Sequence, residues 1–231
     1  VDDGSTDDTG AVLSAIHDPR LRVITQANQG ISGALNAGMR AARGDYVIML
    51  GSDDRFLPHC LARLAAAAQA RPNAVVVYGR ARGMDAGGAP LAVTTGAPLP
   101  YPDNPLLSAL YGDFVATIAA LIRRDALGRV GYCDPTLKGN EDWDLWIRLG
   151  REGEFAFVPE VLAEFRIHPG RFTSAQHDRL ATLLAGRRAI LDKAFAAPDL
   201  PPEVAAARPV IYRNASIDIG LRWLNVGAYR E

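Results

Sequence analysis

The chain has 231 residues, 48% of them hydrophobic, and a formal net charge of −1. This length suits one sizeable α/β domain, or one domain with an extension. The near-zero charge excludes a general polyanion-binding surface, so no nucleic-acid partner is expected and any phosphate recognition must be local. The two cysteines, Cys60 and Cys133, have no CxxC partner, which argues against a disulfide framework or a zinc site and suits a reducing compartment. No apolar run approaches the roughly 18 residues of a membrane-spanning helix, and no signal peptide is visible.

The first residues, Val1-Asp2-Asp3-Gly4, read as the end of a strand entering a loop. The strand itself is absent and there is no initiator Met, so the first elements are expected to lie upstream. Ser5 and Asp8 resemble a capping box ahead of a helix that runs to about Ile16. Residues 21–25 suggest a short strand and residues 26–30 a polar loop. Residues 31–43 show apolar positions at helical spacing: Ile31, Ala34, Leu35, Gly38, Met39 and Ala42.

Residues 45–54, DYVIMLGSDD, form the pivotal stretch. Tyr46 to Leu50 are continuously apolar, as in a strand covered on both faces. Gly51 and Ser52 break it, and Asp53 and Asp54 follow. Pro58 opens a helix to about Ala70, and residues 75–78 are another apolar strand. Strands and helices thus alternate with short connections, the pattern of a parallel sheet between helices.

The character then changes. Residues 83–102 are rich in Gly, Pro and Thr, with residues 85–88 as a hairpin turn. Helices are expected at 104–111 and 141–151, strands at 114–123, 155–158 and 161–167, and a long helix at 175–195. A linker at 196–202 leads to a final helical piece at 203–226.

Four clusters can carry chemistry. Asp3, after a strand, can meet a base or ribose, or simply cap a loop. Asn28 and Gly30 precede a helix start, a natural phosphate site; Asn36 and Gly38 read as packing residues. Asp53 and Asp54 stand where ligands bind in open α/β sheets, beyond the carboxyl ends of strands. Two carboxylates there either hold a divalent cation or cap the next helix. Glu141 and Asp142 open a helix, and Arg166 and His168 end a strand. An Asp so placed can deprotonate a hydroxyl, and a His can ligate metal or phosphate.

VDDGSTDDT, NQGISGALNAGMRAARGDYVIMLGSDD, NEDWDLWIRL and EFRIH occur in this order at compatible spacings. Together they resemble family 2 glycosyltransferases of the GT-A fold, over about residues 1–174. The resemblance implies an α/β fold, a nucleotide-diphospho-sugar-transferase type of mixed sheet flanked by helices. Residues 175–231 are then a helical C-terminal extension. It implies an inverting transfer from a nucleotide sugar, UDP- or GDP-linked, to a saccharide or lipid-linked acceptor, with Mg²⁺ or Mn²⁺.

By the same resemblance, Asp3 matches the residue that meets the nucleoside. Asp53 matches the metal and diphosphate carboxylate, with Asp54 beside it, and Asp142 matches the base, with Glu141 as neighbour. Arg166 and His168 match a loop that closes over the diphosphate, with His168 a metal ligand. A cytoplasmic location follows, at the inner face of a membrane where the acceptor is lipid-linked, with peripheral association. One departure stands out: Gly51 occupies the place of a first carboxylate. Two other readings stay open, a non-catalytic sugar-nucleotide-binding domain and a nucleotidyltransferase. The tryptophans Trp143 and Trp146 are candidates for acceptor contact or for core packing.

Overall fold

A computed structural model of the chain describes residues 1–137, 139–168 and 177–228. Its centre is β3 (Ala74–Met84), eleven residues of which Val75 to Tyr78 are buried. Around it lie β1 (Tyr46–Ile48), β2 (Arg55–Phe56), β4 (Pro90–Thr95), β5 (Ala120–Arg123) and β6 (Glu154–Arg166). The strand order is β1-β5-β3-β6-β2, with β4 paired to β3 as a hairpin. β6 runs parallel to β3, whereas β5 is antiparallel to both β1 and β3.

The sheet is therefore mixed, and the purely parallel order suggested by the early elements is corrected. β1 and β3 do point the same way, but β5, contributed from much later in the chain, lies between them. β1 has β5 as its strand neighbour among the described residues. A second correction concerns its faces. The DYVIML run is not covered on both faces: Val47 and Met49 are buried, while Tyr46 and Ile48 are half-buried and Leu50 is exposed.

The helices are α1 (Thr9–Ser14), α2 (Gly30–Ala41), α3 (Cys60–Ala70), α4 (Pro105–Tyr111), α5 (Arg124–Val130), α6 (Glu141–Leu149), α7 (His177–Phe195) and α8 (Pro202–Ala228). α2 and α3 occupy the places expected from their apolar spacing. α4 starts as its sequence dictates: Asn104 caps it, accepting the Leu107 N–H at 2.9 Å, and Pro105 takes the first helical position. The expected capping box of α1 does not form. Ser5 N–H instead donates to Asp2 Oδ1 at 2.9 Å, and the helix begins four residues later.

Other expectations shift. Residues 21–25 form no strand, and only Thr25 bridges Asp2. Residues 114–123 divide into a 3-10 turn at Thr117–Ala119 and β5. The strands expected at 155–158 and 161–167 are one, β6, whose register against β3 slips between Tyr78 and Arg80, opposite Pro159. Proline lacks the N–H that an even ladder would need there. α5 was not anticipated.

Two apolar layers flank the sheet. One joins Val76, Tyr78 and Ile122 to α4, α6 and the C-terminal helices, through Ile190, Leu191, Phe195, Val204 and Ile211. The other packs α3, through Cys60, Leu64 and Ala68, on Val77, Ala81 and Leu162. The described parts of α7 and α8 thus share the main core. The boundary expected at residues 174/175 lies outside the described residues. Among the described residues, no helix is long and apolar enough to cross a membrane.

Candidate active site

Strand direction gathers the candidate residues. Asp53 follows β1, and His168 follows β6, which is parallel to β3. β5 runs the other way, so its start, just after Thr117, lies beside the carboxyl end of β1, with Leu121 opposite Ile48. Asp53, His168 and Thr117 therefore stand at the same end of the sheet, where open α/β sheets bind ligands.

Asp53 Oδ2 lies 3.0 Å from His168 Nε2, across 115 positions of sequence. Asp54 Oδ1 accepts the Arg166 N–H at 2.9 Å. The Arg166 side chain does not reach into open space. Its Nε donates to the Asp53 carbonyl at 3.0 Å, and Nη1 donates to the carbonyls of Asp85 and Ala86 at 3.2 and 2.7 Å. It ties the Asp53-Asp54 turn to the tip of the β3–β4 hairpin. Arg55 adds a second tie, from Nη2 to the Gly88 carbonyl at 2.9 Å. The turn expected at residues 85–88 is present, with Gly88 at φ +91°.

Gly51 acquires a physical role. A Cβ built there would sit 2.7 Å from Asp54 Oδ2 and 3.0 Å from Asp53 Oδ1. The missing side chain leaves room for both carboxylates to turn back toward one point. Two adjacent ligands of an octahedral ion with bonds of about 2.1 Å are about 3 Å apart. The Asp53–His168 contact, at 3.0 Å, is a hydrogen bond that an ion bound between them would replace. Among the described residues, no group of three or more His, Cys, Asp or Glu forms a complete metal cage. Ions such as Mg²⁺ do not need one: one or two carboxylates suffice where phosphates supply the remaining ligands. Asp53 and His168 therefore fit a divalent ion that is completed by a substrate.

Asp142 sits in the first turn of α6, where the helix dipole favours an anion. Its Oδ1 accepts the Trp143 N–H at 2.9 Å, and its Oδ2 accepts the Thr117 hydroxyl at 2.7 Å. Asn140 leads into the helix in the left-handed region, at φ 60°. Burial pushes the Glu141 carboxyl above its ordinary value, and the neighbouring Asp142 charge adds to this. Trp143 and Trp146 are buried at 2% and 1% exposure, and the Trp143 indole donates to the Ala109 carbonyl at 2.7 Å. They anchor the helix to the core, so the acceptor-contact reading is withdrawn.

Asp3 forms the third cluster. It accepts from Gln26 Nε2 at 2.7 Å and from the Gln29 N–H at 2.9 Å. These bonds hold its carboxyl below the usual range, the Gln26 side chain contributing most. Asn28 Oδ1 accepts the Gly30 N–H at 3.2 Å, where α2 begins. Two of the backbone donors around that helix start are thus already engaged by side chains.

Two connections escaped the sequence reading. One is Thr117, a lone hydroxyl in an apolar run. The other is Asn36, buried in α2. Its amide donates to the Cys133 carbonyl and accepts the Cys133 N–H, both at 2.9 Å. Asn36 thereby clamps the loop that leads to α6.

A chain with a mixed sheet of this order and carboxylates at its carboxyl edge belongs structurally with the GT-A proteins. It superposes on Staphylococcus aureus TarS residues 1–349, solved with UDP-GlcNAc, with a TM-score of 0.67 at 19% identity, covering 91% of this chain and 59% of that one. It also superposes on the mannosyltransferase PcManGT from Pyrobaculum calidifontis, solved with GDP-Man and Mn²⁺. There the TM-score is 0.58 at 17% identity, covering 94% and 62%.

Glycosyl transferase family 2 matches residues 1–131, and the chain belongs to that family. It is 32% identical over 220 residues to the O-antigen biosynthesis protein RfbC of Myxococcus xanthus, covering 92% of this chain and 16% of the relative. The chain thus spans about a sixth of that relative's length.

Proposed function

We propose that this chain is the donor-binding and catalytic part of an inverting glycosyltransferase. It moves a sugar from a nucleotide-diphosphate sugar to an acceptor hydroxyl. The observation that carries this reading is the placement of Asp142. Its carboxylate is held by Thr117 at the same end of the sheet as the Asp53–His168 pair. Family membership supports the reaction class. The nucleotide sugars in TarS and PcManGT support the donor class.

Inverting transfer is a single in-line displacement. The acceptor oxygen forms a bond to the anomeric carbon as the bond from that carbon to the donor phosphate oxygen breaks. The nucleoside diphosphate leaves with the bonding pair, and Asp142 takes the acceptor proton. A positioned base contributes roughly 10²–10⁴-fold. Asp53 and His168 would hold Mg²⁺ or Mn²⁺. When bound, that ion neutralises charge on the leaving diphosphate.

Asp3, oriented by Gln26 and Gln29, meets the base or ribose. Asn28 and Gly30 shape the loop that follows it. Glu141 sits beside the base, held there in a desolvated position. Asp54 and Arg166 stiffen the turn carrying Asp53.

The acceptor is a saccharide or lipid-linked glycan, as suits a relative named for O-antigen biosynthesis. The domain works in the cytoplasm, peripherally at the membrane face where the acceptor is lipid-linked. Its two cysteines, Cys60 and Cys133, are free and buried.

The test is full-length protein incubated with Mn²⁺ and a panel of labelled UDP- and GDP-sugars. Sugar transfer is expected in the wild type. Asp142→Asn should abolish it while donor affinity stays within a few-fold. Undiminished transfer by that variant would remove the base assignment. Binding without turnover by the wild type would make the chain a sugar-nucleotide-binding domain, and pyrophosphate release from a nucleoside triphosphate and a sugar phosphate would make it a nucleotidyltransferase.

A further inference from the structure

A carboxylate that accepts a proton must point at the incoming hydroxyl, and Asp142 lies on a partly buried helix start. Its Oδ1 is engaged by the next residue's own N–H, at 2.9 Å from Trp143. That contact moves with the helix and does not tie the carboxylate to the sheet. Its Oδ2 is engaged by a group from elsewhere, the Thr117 hydroxyl at 2.7 Å.

Thr117 is unusually well fixed. It opens the 3-10 turn Thr117–Ala119, closed by a bond from the Ala119 N–H to the Ala116 carbonyl at 2.8 Å. Ala116 and Ala119 on either side are buried, at 3% and 0% exposure. The turn runs directly into β5, which is hydrogen-bonded on one side to β1 and on the other to β3. The hydroxyl is therefore carried by the middle of the sheet, between the strand that leads to Asp53 and the strand at the centre of the core.

We infer that Thr117 is the positioning residue of the Asp142 base, fixing its carboxylate relative to the sheet edge that holds the donor. This rests on the reading of Asp142 as the base. An ionised carboxylate has about four lone-pair sites, and these two bonds use one on each oxygen. A site therefore remains on each oxygen for the acceptor hydroxyl, in a plane set by Thr117. Without the hydroxyl the carboxylate is free to turn, and the proton transfer loses its alignment. Misplacing a reacting group by about 1 Å can cost on the order of 10²-fold. Thr117 would not change donor binding, because it acts on the acceptor side through Asp142.

The experiment measures donor turnover and donor affinity in full-length protein, using the UDP- or GDP-linked sugar that the wild type consumes with Mn²⁺. The variants are Thr117→Val, Thr117→Ser and Asp142→Asn. Thr117→Val, nearly isosteric, is expected to lower kcat about 10- to 100-fold, with donor Kd within about threefold. Thr117→Ser should restore most of the rate.

A wild-type rate for Thr117→Val alongside an inactive Asp142→Asn would overturn the positioning role and leave the base in place. A wild-type rate for Asp142→Asn would instead remove the base itself. Should Thr117→Val fail to fold, a crystal structure of the wild type decides: the inference fails if Thr117 Oγ1 lies beyond hydrogen-bond reach of Asp142.

Discussion

Asp53 and His168 meet at 3.0 Å, although 115 residues separate them. β1 delivers the first and β6 the second, and between these strands stand β5 and β3. β2, which begins two residues beyond Asp53, pairs directly with β6, Arg55 opposite Glu164, and this pairing brings the two side chains together.

Asp53→Ala and His168→Ala should each weaken Mn²⁺-dependent donor binding. The expected loss is about tenfold or more, since removing a metal ligand costs at least what removing its outer-shell partner does. Titration calorimetry of a UDP- or GDP-sugar with and without Mn²⁺ checks this. Unchanged affinity in both variants would take these residues out of the metal site.

Asn36 and Cys133 exchange two hydrogen bonds of 2.9 Å inside the core. Asn36→Ala removes both and leaves a buried N–H and a buried carbonyl without partners. Each such group costs about 1–3 kcal/mol, so a loss of about 2 kcal/mol or more is expected in urea unfolding. Asn36→Asp loses the donor and sets a buried carboxylate against the Cys133 carbonyl, so it should destabilise at least as much. A loss below about 0.5 kcal/mol for the alanine variant would show that the loop before α6 is held by other contacts.

Glu164 is buried at 1% exposure and paired with Arg55 and Arg82, whose side chains are half-exposed. Burial alone would raise its carboxyl. The two guanidiniums overcome that and hold it below the usual glutamate value of 4.5. A carboxyl depressed by folding contributes stability that is present above its unfolded value. That contribution is lost as pH falls through the folded value. Glu164→Gln should therefore destabilise the protein by about 1–3 kcal/mol at neutral pH. The difference from wild type should shrink below about pH 4. Thermal unfolding across pH 3–7 measures it, and a penalty that grew on acidification would contradict the pairing.

Much of the site was legible in the sequence because it is local. A strand ending in two carboxylates, a glycine before a helix, and an acidic first turn each span a few residues. Asp53, Asp142 and His168 could be named as candidates on that basis, their roles coming from the family resemblance. The turn at residues 85–88 was legible for the same reason, since its closing contact spans four residues.

What the sequence could not supply was the partner of each group. Arg166 reads as a free cation at a strand end, yet its donors go to the carbonyls of Asp53, Asp85 and Ala86. Trp143 and Trp146 sit beside the base in the chain but face the core, because helical periodicity turns them inward.

By itself the sequence determined many of the elements, among them α2, α3, α6 and the apolar centre of β3, together with the family motifs, because propensity and apolar spacing act over a few residues. Only the tertiary structure decided that β5 inserts between β1 and β3, and with it that Thr117 reaches Asp142. Strand pairing joins residues far apart in the chain, and nothing in the local pattern of either strand specifies which neighbour it takes.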